Sequence, residues 1–522
     1  MEKSHESRVY WCDNCNSPIL KKGDCPLCGN QVKNASLGKG EIRPIFDYEK
    51  GWYKELLVSE GYDPEIYLPE GLCFYYNGSV IADGLKIFRV TYDENSSKWK
   101  IVPYSKFKTN PIRLRGSELK TVIEANIIYL EQAENESLQF IKKVYNEYGD
   151  HPFAVSLSGG KDSVVTLNLV RQIIPVFDSI WMNTTIDFPE TEIFVKELVR
   201  EWDLKLFELK PEKDFFTLCD ELGPPSKFMR WCCKTTKFAP FNQFIDRQYE
   251  KNVLTASGVR KNESLSRGQY EPIQVNETIP KQILFFPILE WNSLQVWLYM
   301  FWKQIPINEV YKKGYSRIGC WLCPEKTLRE FKKMEITHPE LTDKLYIYLK
   351  KYAKNTEITD LEKWIESGKW RYRVSRYKKE HIIKYNTCSI KPQFIYNIDN
   401  LDKRDEVIQF LKIFGSLKKH NKILTIQNHN LDLAIINNNI RVKYYSDNRQ
   451  IQKQLEKQLE KAVNCINCGA CIGNCPLNAI SMVNGKICVS DSCTHCLKCI
   501  QPKGLRKGCI SLNYRIKQIV IN

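Results

Sequence analysis

Phe153-Ala-Val-Ser-Leu-Ser-Gly-Gly-Lys-Asp-Ser-Val-Val-Thr-Leu-Asn-Leu-Val-Arg-Gln-Ile-Ile174 is a short apolar run, a polar turn holding two glycines, and a second apolar run of helical length. It reads as strand, tight loop and helix. In the loop Ser158–Ser163, Gly159 and Gly160 let successive N–H groups curl inward, and the helix start adds positive potential, so the turn is shaped for phosphate. Lys161 and the Ser158 and Ser163 hydroxyls add direct contacts. This is not a Walker A loop, which puts four residues between its first Gly and the Gly-Lys pair. Upstream, residues 117–148 are expected to be helical. Downstream, strands at Ser179–Asn183 and Lys205–Leu209 alternate with helices at Val164–Ile174 and 190–201. Such alternation predicts an α/β fold with a parallel sheet and ligands at the carboxyl ends of its strands.

The 522 residues allow three or four domains. Twenty cysteines in CxxC groupings, with a polar N-terminus, fit metal ligation in a reducing compartment better than a disulfide framework. The longest apolar stretch, Leu294–Trp302, is short of a membrane span and is interrupted by Gln295. A cytoplasmic protein with no membrane partner is expected.

The formal net charge of +16 points to anionic partners. Residues 461–522 carry eight Lys/Arg against Asp491 alone, an excess suited to offsetting anionic clusters. Lys369-Trp-Arg-Tyr-Arg-Val-Ser-Arg-Tyr-Lys-Lys379 interleaves six cations with aromatics. It can track the backbone of RNA or DNA and stack bases, and it can equally be a solvated helix face that packs its rings.

Three cysteine patterns carry chemistry. Cys12-x2-Cys15-x9-Cys25-x2-Cys28 has the two knuckles of a structural zinc ribbon, with iron as the minor alternative. The pair Cys232–Cys233 and the later Cys320-x2-Cys323 supply four thiolates for a [4Fe–4S] cluster or, alternatively, a structural zinc. Cys465-x2-Cys468-x2-Cys471-x3-Cys475-Pro476 is the bacterial ferredoxin run, whose fourth cysteine serves the other cluster. One [4Fe–4S] cluster is therefore assigned to Cys465, Cys468, Cys471 and Cys509, the other to Cys475, Cys493, Cys496 and Cys499. Nine residues precede Cys509 after Cys499, and no proline follows it. Cys73 and Cys488 read as core thiols.

Ser158-Gly-Gly-Lys-Asp-Ser163 resembles the loop of the PP-loop ATP pyrophosphatases, and the surrounding segments resemble the phosphoadenosine phosphosulfate (PAPS) reductase family. The further matching pieces are Thr185–Thr191, Trp231–Lys237, Gly258–Ser264, Pro287–Trp297, Ile305–Asn308 and Gly314–Pro324, in consistent order over about residues 120–345. The resemblance implies an adenine nucleotide (ATP, APS or PAPS, with Mg) at Ser158–Ser163, and a cluster on Cys232, Cys233, Cys320 and Cys323 beside it. It further implies Arg260 for phosphate or sulfate, Asp187 for the ribose or adenine side, and Lys161, Asp162 and Arg260 as the catalytic set. Two departures stand out. The Glu-Cys-Gly-Leu/Ile-His tail of the assimilatory reductases does not occur, and Cys388 has no neighbouring His to replace it. The intact Gly-Gly-Lys-Asp-Ser loop is the form seen where ATP is cleaved to AMP and pyrophosphate.

The expected order is a zinc ribbon (1–35), a small β-rich adaptor (36–116), a PP-loop parallel-sheet domain (117–345) and a helical basic segment (346–390). A small α+β segment (391–455) and a two-cluster ferredoxin-type α+β domain (456–522) follow. The expected function is an iron–sulfur enzyme of sulfur metabolism fed by an external electron donor, with ATP-dependent sulfur transfer to a nucleic acid or other acceptor foremost. Direct reduction of APS or PAPS to sulfite is the alternative, and a nucleotide-responsive, nucleic-acid-binding redox sensor is the reading from another class.

Overall fold

A computed structural model describes residues 9–499, except 38–40, 106, 108–113, 277–278, 280, 355–357, 359, 374–381, 389–392, 399–403, 422, 429, 437–438, 446–448, 473–474, 476 and 498. Cys509 lies outside the described residues.

The chain opens with three short antiparallel strands, β1 (Val9–Cys12), β2 (Ser17–Ile19) and β3 (Lys33–Leu37), in the order β2-β1-β3. A five-stranded antiparallel sheet follows in sequence order: β4 (Ile42–Pro44), β5 (Phe74–Tyr76), β6 (Ser79–Ala82), β7 (Leu85–Asp93) and β8 (Lys98–Pro103). The β-rich expectation for this region holds. The helix Asp47–Ser59, which packs Tyr53 and Leu57 into the sheet's core, was not anticipated.

The central sheet comprises β9 (Phe153–Ser156), β10 (Asp178–Met182), β11 (Leu206–Leu209), β12 (Val253–Ala256), β13 (Ile273–Val275) and β14 (Gln282–Phe285). Its order is β11-β10-β9-β12-β14-β13, parallel except for β13. Val253, Leu254, Thr255 and Ala256 are all fully buried, as strands covered on both faces must be. The chain steps outward from β9 to β10 and β11, then returns to place β12 on the other side of β9. That reversal opens a crevice at the carboxyl ends of β9 and β12.

The helix expected over 117–148 is two helices, Leu119–Glu124 and Ile127–Glu147. The break at Asn126 has a cause. Its side chain donates to Pro18 O (2.8 Å) and accepts from Leu20 N (3.0 Å), tying the N-terminal sheet to the helix.

The segment expected to be helical over 346–390 is helical at Pro339–Lys354 and Leu361–Glu366 but ends in β15 (Ile382–Cys388). This strand pairs with β16 (Gln393–Ile398), so the boundary placed at residue 390 falls inside a hairpin. With β17 (Leu417–His420), β18 (Ile423–Gln427), β19 (Leu431–Ile436) and β20 (Asn439–Tyr444) they form a six-stranded antiparallel sheet. The helix Arg449–Val463 leads to the last cysteines and to the hairpin β21 (Ile480–Val483) and β22 (Lys486–Val489). No helix among the described residues is long and apolar enough to cross a membrane.

Candidate active site

The loop Ser158–Ser163 sits in the crevice as the sequence predicts. Gly159 has φ +72°, and a Cβ there would stand 2.8 Å from Thr191 Cγ2, so glycine is required on both counts. Ser158 N donates to Ser163 Oγ (3.2 Å), which in turn donates to Gly160 O (2.8 Å). Asn308 Nδ2 holds Gly159 O (3.1 Å), and the Tyr311 hydroxyl accepts from Lys161 N (2.9 Å). From the end of β12, Gly258 lies flush on the start of the loop's helix. A Cβ on it would be 2.5 Å from the backbone carbon and oxygen of Asp162. The result is a cavity of about 290 Å³ lined by Ser158, Lys161, Asp162, Ser257, Arg267 and Arg317, among others.

Lys161, Asp162 and Arg260 are brought together. Asp162 accepts from Lys161 Nζ through Oδ2 (2.9 Å) and from Arg260 Nε through Oδ1 (2.6 Å). A fourth group, Glu41, enters from the segment just before β4. It accepts from Arg260 Nη2 (2.6 Å) and Ser293 Oγ (2.7 Å), and its Oε2 lies 3.5 Å from Lys161 Nζ. Lys161 and Arg260 side chains are each 1% exposed, so the pairing is made in a low-dielectric setting. Burial alone would raise Glu41, but Lys161 and Arg260 hold it well below the usual carboxylate range. Burial alone would lower Lys161, but Asp162 and Glu41 outweigh it and keep the ammonium charged. Nothing in the sequence near Glu41 marked it, and Tyr311, Arg267 and Arg317 were likewise given no role.

Asp187 is placed elsewhere. Its Oδ2 accepts from Thr184 N (3.0 Å), and it does not line the cavity. Burial raises its pKa, with Lys237 as a partial counterweight. Asp187 belongs to the turn that supports the middle cysteines. There, Thr184 Oγ1 lies 3.4 Å from Cys320 Sγ, and Trp321 N donates to Ile186 O (2.9 Å).

Cys233 first, then burial and the nearby Cys320 and Cys323, push the Cys232 thiol up, although these four sulfurs are not drawn within 4.8 Å of one another as the N-terminal four are. Cys233 is pulled down to about 5, first by the Cys232 thiol and then by Arg230 and Lys237, with Arg230 Nη2 3.5 Å from its sulfur. Lys237, in the wide helical turn Lys234–Phe238 that follows the cysteine pair, has its pKa raised chiefly by Cys320. Four thiols with an exposed Arg230 and a partly buried Lys237 beside them suit an anionic centre. Two residues before Cys320, Ile318 lines the cavity at the Ser158–Ser163 loop.

Of the two later cysteine sets, one lies wholly within the described residues, while Cys509 of the other lies outside them. Cys475, Cys493, Cys496 and Cys499 line one small apolar cavity with Ile413, Leu477 and Leu497. The Cys465–Cys471 loop bridges two apolar clusters, with Cys465 and Cys471 on the side of Cys475, Cys493 and Cys499. Ile466 and Ala470 are buried in the same apolar cluster as Trp231, Cys232 and Phe215, with Cys468, Cys233 and Cys320 packed against it. Lys213 Nζ donates to Ile466 O (2.8 Å) and Arg247 Nη2 to Met482 O (3.2 Å), fastening this module to the central domain.

Cys12, Cys15, Cys25 and Cys28 can hold a metal ion. Among the described residues they are the group whose ligand atoms all lie within 4.8 Å of one another. The Cys12–Cys28 and Cys15–Cys25 sulfurs are 3.5 and 3.8 Å apart. Tetrahedral zinc–sulfur bonds of about 2.3 Å require sulfurs about 3.8 Å apart, so the set fits that geometry.

The basic–aromatic stretch is partly spent on packing. Trp370 and Arg371 are buried, Arg371 donates to Gly368 O, and Arg373 donates to Leu222 O (2.7 Å) and Pro224 O. Residues 374–379 lie outside the described residues.

Residues 152–326 match the model of the phosphoadenosine phosphosulfate reductase domain. Two uncharacterized proteins of Methanocaldococcus jannaschii are each 33% identical, over 58% and 52% of this chain. The chain spans 64% of the length of each. An adenosine 5'-phosphosulfate reductase of Halalkalibacterium halodurans is 30% identical over 208 residues, 38% of this chain and 87% of that protein. A crystal structure of PAPS reductase from Candida auris aligns with TM-score 0.30 and 20% identity, over 35% of this chain and 89% of that one. The chain therefore belongs to the phosphoadenosine phosphosulfate reductase family, through an α/β domain with a PP-loop-type core.

Proposed function

We propose that this protein is an iron–sulfur enzyme of sulfur metabolism. In this reading it holds an adenine nucleotide at Ser158–Ser163 and reduces it with electrons that enter through the C-terminal cysteine module. One observation carries the reading. The Cys465–Cys471 loop shares an apolar core with Cys232 and Cys233, and the Cys320 loop continues through Ile318 into the nucleotide cavity. Three [4Fe–4S] clusters would occupy Cys232, Cys233, Cys320 and Cys323; Cys465, Cys468, Cys471 and Cys509; and Cys475, Cys493, Cys496 and Cys499. Zinc would occupy Cys12, Cys15, Cys25 and Cys28. When bound, the clusters supply one-electron transfer at low potential.

The chain's own residues bind and orient. Loop N–H groups and the Ser158 and Ser163 hydroxyls take phosphate oxygens, Lys161, Arg260, Arg267 and Arg317 neutralise the anion, and Tyr311 fixes the loop's backbone. The reaction favoured by the named relative is reduction of APS, and the matched family model adds PAPS. Two electrons from an external low-potential donor cleave the sulfur–oxygen bond, leaving sulfite and the nucleotide's phosphate oxyanion. A second reading, ATP-driven sulfur transfer to an RNA, DNA or other acceptor, is favoured by the intact Gly159-Gly-Lys-Asp-Ser163 loop.

The test uses anaerobic protein with its metals in place, a reduced donor, and APS, PAPS or ATP supplied separately. Sulfite from APS or PAPS supports the first reading; AMP and pyrophosphate from ATP without sulfite replaces it with the second. A double variant Lys161→Ala, Asp162→Ala that keeps full turnover removes the loop from the mechanism.

A further inference from the structure

Glu41 belongs to the N-terminal β-rich region, outside residues 152–326, yet its carboxylate pairs with Arg260 and Lys161 beside the phosphate loop. One guanidinium (Arg260), one hydroxyl (Ser293) and one ammonium (Lys161) converge on it, and Arg317 Nη2 stands 3.7 Å away. A planar oxyanion ringed by two guanidiniums, an ammonium and a hydroxyl is the coordination that proteins give phosphate and sulfate groups. The cavity these cations face is the nucleotide cavity, lined by Lys161 and Arg317. Asp162 takes Arg260 Nε and a second contact on Lys161, and Glu263 Oε1 stands 3.5 Å from Arg260 Nη2. With Glu41 in place, Lys161 Nζ and the Nε and Nη2 of Arg260 are all engaged by carboxylates.

We propose that Glu41 is a tethered stand-in for the substrate's oxyanion: it fills an anion subsite built by Lys161, Arg260, Arg317 and Ser293, and the phosphoryl or sulfo group of the bound nucleotide displaces it. This rests on the nucleotide reading above and assigns the β-rich region a direct part in the site. Glu41 keeps two buried cations paired while the site is empty, which removes the cost of unpaired buried charge. It also sets a threshold: only a ligand of higher charge density than a carboxylate, with several oxygens to offer, takes its place. A competing structural role, in which Glu41 permanently positions Arg260 and Lys161, predicts the opposite sign.

The experiment measures binding of pyrophosphate, sulfate and AMP to the full-length metal-loaded protein by calorimetry, for wild type, Glu41→Gln and Glu41→Ala. Glu41→Gln is expected to bind pyrophosphate at least ~10-fold more tightly, a change of about 1.4 kcal/mol. Glu41→Ala, which removes the carboxylate and leaves Ser293 and the cations in place, is expected to shift the same way, and it carries the test if Glu41→Gln fails to fold. Unchanged or weaker binding in the variants, with wild type still binding AMP, overturns the proposal and leaves the nucleotide site standing. Failure of all three proteins to bind any of the probes overturns both.

Discussion

Glu49→Gln is predicted to unlock the β-rich region from the central domain. Arg43 and Glu49 form a two-pronged ion pair, with Nη1–Oε2 and Nη2–Oε1 both 2.6 Å and side chains 1% and 0% exposed. Arg43 also donates to Gly314 O (2.8 Å) and Ser316 Oγ (3.1 Å), directly ahead of Arg317 and Ile318 in the lining of the phosphate-loop cavity. Gly314 admits nothing larger, since a Cβ would fall 2.7 Å from the Glu49 carboxyl carbon. Glutamine keeps the shape and removes the charge. A fully buried guanidinium is then left beside the Lys333 ammonium. Removing one partner of such a pair costs about 3–5 kcal/mol. A chain with several domains and metal sites does not unfold in one step, so the readout is hydrogen exchange at individual amides. A loss of about 3 kcal/mol corresponds to roughly 100-fold faster exchange, expected in Asp47–Ser59 and at Gly314–Ser316. The double variant Arg43→Met, Glu49→Leu is expected to recover most of it, because an apolar pair needs no desolvation. Acceleration below tenfold, or a double variant no better than the single, would refute the reasoning.

The same network makes a pH prediction. Burial and then Arg43 push Lys333 down to about 8, against Glu49. The unfolded state therefore keeps this proton longer than the folded state, and stability should rise as pH climbs from about 8 towards 10.5, by about 3 kcal/mol at 1.36 kcal/mol per pH unit. Lys333→Met should flatten the rise in exchange protection over that window. Gly258→Ala drives a methyl into the Asp162 and Ser163 backbone at 2.5–2.7 Å, where nothing can swing aside, and should weaken nucleotide binding at least ~10-fold by calorimetry without loss of bound metal. Cys25→Ser should remove one equivalent of zinc per chain by elemental analysis and speed exchange at Leu20, whose N–H is held by Asn126. Retention of that zinc would place it elsewhere.

The sequence by itself determined what is local. A strand, a Gly-Gly turn and a helix announce a phosphate loop because only glycine tolerates φ +72° at Gly159 against Thr191. Cysteine spacings sorted Cys475, Cys493, Cys496 and Cys499 into one group before any coordinates did, because ligands on adjacent turns must sit at fixed offsets. Tertiary structure decided what has no period or spacing. Glu41 is one acid among many in the chain, and only the folding of β4 against the helix Ser293–Trp302 carries it to Lys161 and Arg260. The resemblance implied Asp187 as a nucleotide contact, and the structure shows its carboxylate accepting from Thr184 N in a turn on which the Cys320 loop docks through Trp321 N and Ile186 O. Arg371 and Arg373 read as a free basic face until the carbonyls of Lys326, Leu222 and Pro224 took them up. In each case a charged side chain's role is set by which distant group shares its low-dielectric pocket, and that proximity is a property of the packed chain rather than of any stretch of it.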